Sequence, residues 1–357
     1  MQKTETWTNL YAKKRMLIAG PCSAETEEQV LQTAIKLSKQ GVKIFRAGIW
    51  KPRTRPGGFE GVGAKGLEWL KKVKSTTGMK VTTEVANIKH VYQALKAGVD
   101  MLWIGARTST NPFAVQEIAD ALKGVDIDVM IKNPLNPDIN LWIGAIERFQ
   151  KNGIEKIAAI HRGFSTYEKT IYRNAPTWQI PIELKRLFPE LTIICDPSHI
   201  SGNRDLIKSV SQTAMDLDFN GLMIESHIDP DNAWSDAKQQ LTPDAMMQIL
   251  NSLKIREIKP QGISLETIEE LRFKIDDYDQ KLLELLSKRM DIVKAIGLYK
   301  KVNNMTILQS DRWSDILNSN IQKGEELDLS NDFVSSIFKA IHIESIAKQE
   351  KILNSDI

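Results

Sequence analysis

Cysteine is scarce in this sequence: 357 residues include two, Cys22 and Cys195. Two thiols make no disulfide framework, and a reducing cytoplasm is the compartment that fits. Long apolar runs are missing too. None approaches the roughly 18 residues that a membrane-crossing helix requires, so no membrane association is expected. The opening stretch, MQKTETWTNLYAKKRMLIAG, has neither the apolar segment nor the small-residue cleavage site of a secretory signal. Lys/Arg-rich runs and aromatic–basic alternation are absent, and the net charge is only +3, so nucleic acid is not an expected partner. What remains is ordinary: 42% hydrophobic and 26% charged residues supply a sizeable core. The length predicts two domains.

Up to about residue 255 one pattern repeats. A short apolar run ends in polar residues or glycine, and a helical stretch follows. The runs that read as strands are Arg15–Gly20, Lys43–Ala47, Lys80–Val85, Met101–Gly105, Asp128–Lys132, Lys156–His161, Thr192–Asp196 and Asn220–Glu225. They are near-continuously apolar, as strands covered on both faces should be. Helices are expected between them, for example over Glu27–Gln40, Gly66–Thr76, Ile88–Ala97 and Pro112–Leu122. Eight such units in about 250 residues predict a (β/α)8 TIM barrel. An open doubly wound sheet is the alternative, and the strand number favours closure.

After Ile255 the character changes. Residues 256–263 hold Pro260 and Gly262 and read as a linker. No proline occurs from Ser264 to Val302, and Leu265, Ile268, Leu271, Ile275, Tyr278, Leu282, Leu285, Val293 and Ile296 recur mostly at spacings of three, four or seven. That periodicity predicts one helix of about 58 Å. Further helices are expected over Gln309–Lys323 and Asn331–Leu353. The domains are therefore placed at 1–255 and 264–357, the second smaller and all-α.

The polar residues of the first domain cluster at the C-terminal ends of the proposed strands, the face where barrel active sites are built. They are Cys22; Lys51 and Arg53; Glu84; Arg107; Lys132; His161 and Arg162; Asp196 and His199; and Glu225 with Asp236 beyond it. Two groups separate by chemistry. Cys22, His199, Glu225 and Asp236 offer a thiolate, an imidazole and two carboxylates, a mixed set suited to a divalent transition metal such as Mn, Fe, Co or Zn. A lone cysteine is often just a small buried apolar residue, and Cys195, inside a strand, reads that way. Asp236 alone could be a solvated loop carboxylate. The other group, Lys51, Arg53, Arg107, Lys132 and Arg162, would repel itself unless anions bind. Phosphate and carboxylate are the natural ligands.

Together, Gly20-Pro21-Cys22-Ser23, Lys51-Pro52-Arg53-Thr54, Gly105-Ala106-Arg107, Lys132, His161-Arg162-Gly163, Asp196-Pro197-Ser198-His199, Glu225-Ser226-His227 and Ser235-Asp236 resemble the DAHP (3-deoxy-D-arabino-heptulosonate 7-phosphate) synthases, particularly the type Iβ branch. The eight-carbon KDO-phosphate synthases on the same barrel carry Lys-Ala-Asn-Arg-Ser where this chain has Lys-Pro-Arg-Thr. The resemblance implies condensation of phosphoenolpyruvate with erythrose 4-phosphate, releasing phosphate. It implies a metal on Cys22, His199, Glu225 and Asp236 that polarises the aldehyde. Lys51, Arg107, Lys132 and Arg162 would hold phosphoenolpyruvate, and Arg53 and Thr54 the erythrose phosphate. Lys132 would donate a proton, its pKa lowered by flanking cations. The chain departs from the branch after Thr54, reading Arg55-Pro56-Gly57-Gly58-Phe59-Glu60.

From Leu265 to about Lys351 the chain resembles the all-helical chorismate mutases, which convert chorismate to prephenate. The matching residues are Arg272, Arg289, Lys300, Arg312, Ser345 and Gln349. Arg289 and Lys300 are 11 positions apart, hence on one helix face, about 20° apart. Arg272 is about 100° off that face; in the family the first Arg reaches into a dimer partner's site. A solvated coiled-coil face is the bland alternative. Where the family often has Asp and Glu, this chain has Gln309 and Trp313.

These resemblances predict a bifunctional enzyme that forms a homodimer or higher homo-oligomer through its helical domain. The alternative is a synthase whose helical domain is a catalytically weak sensor or dimerisation module. The chain begins about 14 residues before the first strand, leaving no room for the ferredoxin-like regulatory domain of some type Iβ relatives. The helical domain is therefore expected to bind the regulatory ligand, prephenate or chorismate.

Overall fold

The computed structural model describes residues 15–51, 57–167, 169–256, 266–308 and 310–354. Arg53, Thr54, Gln309 and most of the expected linker lie outside the described residues. The chain divides into two compact units, Met1–Pro260 and Gln261–Ile357.

In the first unit the described strands are β1 (Met16–Gly20), β2 (Ile44–Arg46), β3 (Lys80–Val85), β4 (Met101–Ile104), β5 (Asp128–Lys132), β6 (Ile157–His161), β7 (Thr192–Cys195) and β8 (Gly221–Glu225). They pair in sequence order, all parallel, and β8 returns to β1 to close the barrel. The register sets Gly20 opposite Glu225. Closure, rather than an open sheet, is thus the observed topology.

Helices α1 (Glu27–Lys39), α2 (Lys65–Thr77), α3 (Ile88–Lys96), α4 (Ala106–Ser109), α5 (Pro112–Ala121), α6 (Ile139–Lys151), α7 (Gln179–Leu187), α8 (Pro197–Ser201), α9 (Ile207–Asp216) and α10 (Pro243–Ser252) belong to the same unit. Side chains at the first position satisfy free backbone N–H groups of several helices. Thr26, Asn87, Asp138 and Thr242 accept from the first turns of α1, α3, α6 and α10. Pro112 and Pro243 sit in first turns, where no N–H is needed.

Strand alternation sorts the core into two layers. Ile18, Ile44, Trp103, Met130, Ile160, Ile194 and Met223 fill the barrel interior. Leu17, Phe45, Leu102, Ile131, Ala159, Cys195 and Ile224 pack outward with the helices. The parity carries to the strand ends: Arg46 and Lys132 continue interior rows, Glu225 follows Met223, and His161 follows the outward Ala159. Gly20 allows β1 to approach β2, because a Cβ there would lie 2.0 Å from the Arg46 carbonyl oxygen.

The second unit consists of α11 (Glu266–Val302), α12 (Ser310–Glu326) and α13 (Asn331–Leu353). At 37 residues, α11 is about 55 Å long. Its Val293, Gly297 and Lys300 are buried. Ile268, Leu271, Ile275, Tyr278, Leu282 and Leu285 stay exposed, between 43% and 65%, so within the helical unit no described residue covers their stripe. Among the described residues, no helix is long and apolar enough to cross a membrane.

Candidate functional site

Cys22, Glu225 and Asp236 converge where β1 meets β8, and their ligand atoms all lie within 4.8 Å of one another. Cys22 is fully buried just past β1, and its N–H donates to Gln240 Oε1 at 2.9 Å. Its Sγ lies 3.3 Å from Asp236 Oδ2 and 2.9 Å from Lys51 Nζ. Burial, and then the Glu225 carboxylate, push this thiol up to about 12. A protonated thiol facing two carboxylates is the arrangement a divalent cation would relieve. Glu225 Oε1 is buried with no hydrogen-bond partner among the described residues. Among the described residues this donor set fits a transition metal. His199 is the expected fourth ligand and stands just outside the trio. Its Nε2 is 3.7 Å from Glu225 Oε1, and its Nδ1 is 2.8 Å from Asp196 Oδ2.

Two residues that the sequence did not single out tie the carboxylates together. Gln239 Nε2 donates to Glu225 Oε2 at 2.6 Å. Arg173 donates to Gln239 Oε1 at 2.7 Å and to Asp236 Oδ1 at 2.9 Å. The chain Glu225–Gln239–Arg173–Asp236 leaves one oxygen of each carboxylate turned to the other ligands. Asp236 has a left-handed backbone, φ 50°, which few residues other than glycine, Asn and Asp adopt. Burial opposes its ionisation, but His199, Arg173 and Lys51 outweigh that and hold its carboxyl below the usual range.

The cations gather on the same end of the barrel. Lys132 is buried and pairs with Asp196 at 2.7 Å. Its immediate partner is thus a carboxylate, where flanking cations were expected. Arg162 is buried, and its guanidinium donates to Asn174 Oδ1 at 2.6 Å. Burial, then Arg173 and Arg107, lower its pKa to about 10. Arg107 is exposed on α4. Lys51 reaches back to the Cys22 carbonyl at 3.0 Å. Arg46, also missed in the sequence, joins them from inside β2. It is 1% exposed, and its Nε and one Nη lack hydrogen-bond partners among the described residues. Its guanidinium lies 4.8 Å over the Trp103 ring and 3.3 Å from Glu225 Oε1. Two unused donors in a buried cation are strong motivation for an anionic ligand.

His161, by contrast, does not face the barrel mouth. Its ring lies among Trp142, Phe164, Trp178 and Phe219, with centroids 5.1–6.4 Å away. Burial, then Arg162, lower its pKa to about 3. It stands at a strand end as expected, but the alternation turns it into the helix layer.

A second site lies between α11 and α13. Arg289 donates to Ser345 Oγ at 2.8 Å, and Lys300 Nζ to the Ile307 carbonyl at 2.6 Å. Lys300, Ser345 and Gln349 are buried, and Gln349 Oε1 has no hydrogen-bond partner among the described residues. Gly297 lets the helices close here, with its virtual Cβ 3.3 Å from Gln349 Cγ. Arg312 is exposed. Arg272 is exposed and paired with Glu269 at 2.7 Å, apart from the cluster as the helix geometry predicts.

Residues 11–258 match the model of the DAHP synthetase I family. The chain belongs to that family. Residues 271–350 match the chorismate mutase type II family. The chain is therefore a DAHP synthase, a transferase, joined to a chorismate mutase, an isomerase, both of the shikimate pathway. It is 34% identical over 238 residues to a phospho-2-dehydro-3-deoxyheptonate aldolase of Thermotoga maritima, covering 67% of this chain and 68% of that protein. A 2-dehydro-3-deoxyphosphooctonate aldolase of Legionella pneumophila is 29% identical over 260 residues, covering 68% and 91%. The crystal structure of a Thermotoga maritima DAHP synthase superposes with a TM-score of 0.60 at 33% identity, covering 66% of this chain and 67% of that one. The fold and the enzyme classes expected from the sequence both hold.

Proposed function

We propose that the barrel unit is a metal-dependent synthase joining phosphoenolpyruvate to erythrose 4-phosphate, and that the helical unit is a dimeric mutase that also regulates it. The observation that carries the first part is the convergence of Cys22, Glu225 and Asp236 within 4.8 Å, with His199 beside them. These four residues would hold the metal. When bound, it supplies Lewis-acid polarisation of the acceptor aldehyde. The remaining work falls to the chain itself. Lys51, Arg107, Arg162 and Arg46 would bind the phosphate and carboxylate of phosphoenolpyruvate, ordering it before the acceptor enters. Arg53 and Thr54 would bind the acceptor's phosphate. Lys132 Nζ, with Asp196 against it at 2.7 Å, would deliver the proton. The test supplies both substrates with and without a chelator. Turnover that survives thorough chelation overturns metal dependence.

In the helical unit, Arg289, Lys300, Arg312, Ser345, Gln349 and Gln309 would bind the chorismate dianion and hold its reactive conformer. Arg272 would come from the second copy, whose α11 would cover the exposed stripe. Residues 256–263 would link the units, in a chain working in the cytoplasm. Regulation needs a ligand that binds two states differently, and prephenate on the helical unit fits. Prephenate should inhibit synthesis by the full chain, and an active 1–255 truncation should not respond. Equal responses would defeat the regulatory reading.

A further inference from the structure

Trp313 and His342 lie face to face, with centroids 3.9 Å apart and planes 13° from parallel. Trp313 follows Arg312 on α12. His342 shares one face of α13 with Ser345 and Gln349, at positions i, i+3 and i+7. Ser345 holds Arg289, and Arg289 acts electrostatically on His342. The imidazole therefore lies within reach of the Arg289 charge, on the α13 face that carries Ser345 and Gln349. Stacking on a large indole fixes the plane of the imidazole, so its N–H edge has a defined direction. Trp313 brings no carboxylate to this wall.

We propose that His342, held flat by Trp313, is a ligand-binding residue of the mutase pocket that contacts the dianionic substrate and product. The inference rests on the mutase reading of this unit. A consequence concerns protons. In the free chain, burial and then the Arg289 charge lower the pKa of His342. The charged group acting on it from α11 is Arg289; on α12, Arg312 adjoins its stacking partner; on α13, Lys339 lies one turn back. All are cations, and Arg289 disfavours imidazolium. Two incoming carboxylates reverse that field and favour protonation. Binding should take up a proton, and affinity should fall as pH rises through neutrality.

The experiment uses the full chain. Prephenate is titrated calorimetrically in two buffers of different ionisation enthalpy, and chorismate turnover is followed against pH. The wild type should take up protons on binding, with KM rising with pH. His342→Phe should raise KM about tenfold, the loss expected for one hydrogen bond to a charged group, and abolish proton uptake. His342→Gln should keep most of the affinity but lose the pH dependence. Wild-type proton uptake and pH profile in His342→Gln would overturn the proposal. Arg289→Ala separates the two claims. If it abolishes binding while both His342 variants behave as wild type, the mutase reading stands and this inference fails. If the wild type neither binds prephenate nor converts chorismate, the mutase reading fails and the inference falls with it.

Discussion

Gln239 donates its amide to Glu225 Oε2 at 2.6 Å, which leaves Glu225 Oε1 without a hydrogen-bond partner among the described residues. The same amide accepts from Arg173, which holds Asp236. Groups outside the ligand set that fix ligand oxygens typically contribute 10–100-fold to metal affinity. Gln239→Leu and Arg173→Gln should therefore each weaken metal binding by about that factor. Competition with a chromogenic chelator measures it. Affinities unchanged in both variants would show that the carboxylates need no such support.

Cys22→Ser should remove most synthase activity and leave the barrel folded, because serine fills nearly the same buried space. Cobalt loading gives an independent readout: a thiolate ligand produces an intense charge-transfer band, and the serine variant should lack it. The band in wild type alone is the expected result. Its absence in both proteins would remove Cys22 from the ligand set.

His161 sets an acid limit on stability. Its folded pKa is about 3, below the unfolded value of about 6.5. Between these values the unfolded chain binds the extra proton, so stability falls as pH drops from about 6.5 towards 3. The slope from this group is about 1.4 kcal/mol per pH unit. Chemical denaturation at several pH values should show a shallower acid slope for His161→Phe than for wild type. Parallel slopes would contradict a buried neutral imidazole.

Arg272 and Arg289 should complement each other across a dimer. Arg272→Ala and Arg289→Ala should each be inactive as a mutase. Co-refolded together, they should regain activity, because one site of each mixed dimer then carries neither change. No recovery from a verified mixed dimer would mean that each site is built within one copy.

Much of this was legible in the sequence. Strands covered on both faces announce themselves as apolar runs, and the observed β1–β8 match the expected ones to within a residue at each end. The same property hides which face each residue takes, since no polar alternation marks it. His161 therefore read as a mouth residue, and Arg46, inside β2, was passed over. The four ligand candidates carried chemical signals of their own. Gln239 and Arg173 did not: they are 66 positions apart, and only the folded loops bring them together. Trp313 was visible as a departure, but its partner His342 lies on another helix. Arg53, Thr54 and Gln309 lie outside the described residues.

Barrel closure has a consequence for biosynthesis. Cys22 and Asp236 are separated by 214 positions, yet they meet because β8 docks beside β1. A chain emerging from the ribosome exposes the thiol first and the carboxylates last, and long-range closure is a slow step. On the metal-dependent reading, metal uptake at this site would then follow completion of the barrel. A prematurely terminated chain would carry a bare cysteine and no activity at all, rather than a partial one. Metallation would thus double as a certificate that translation reached the end of the synthase unit.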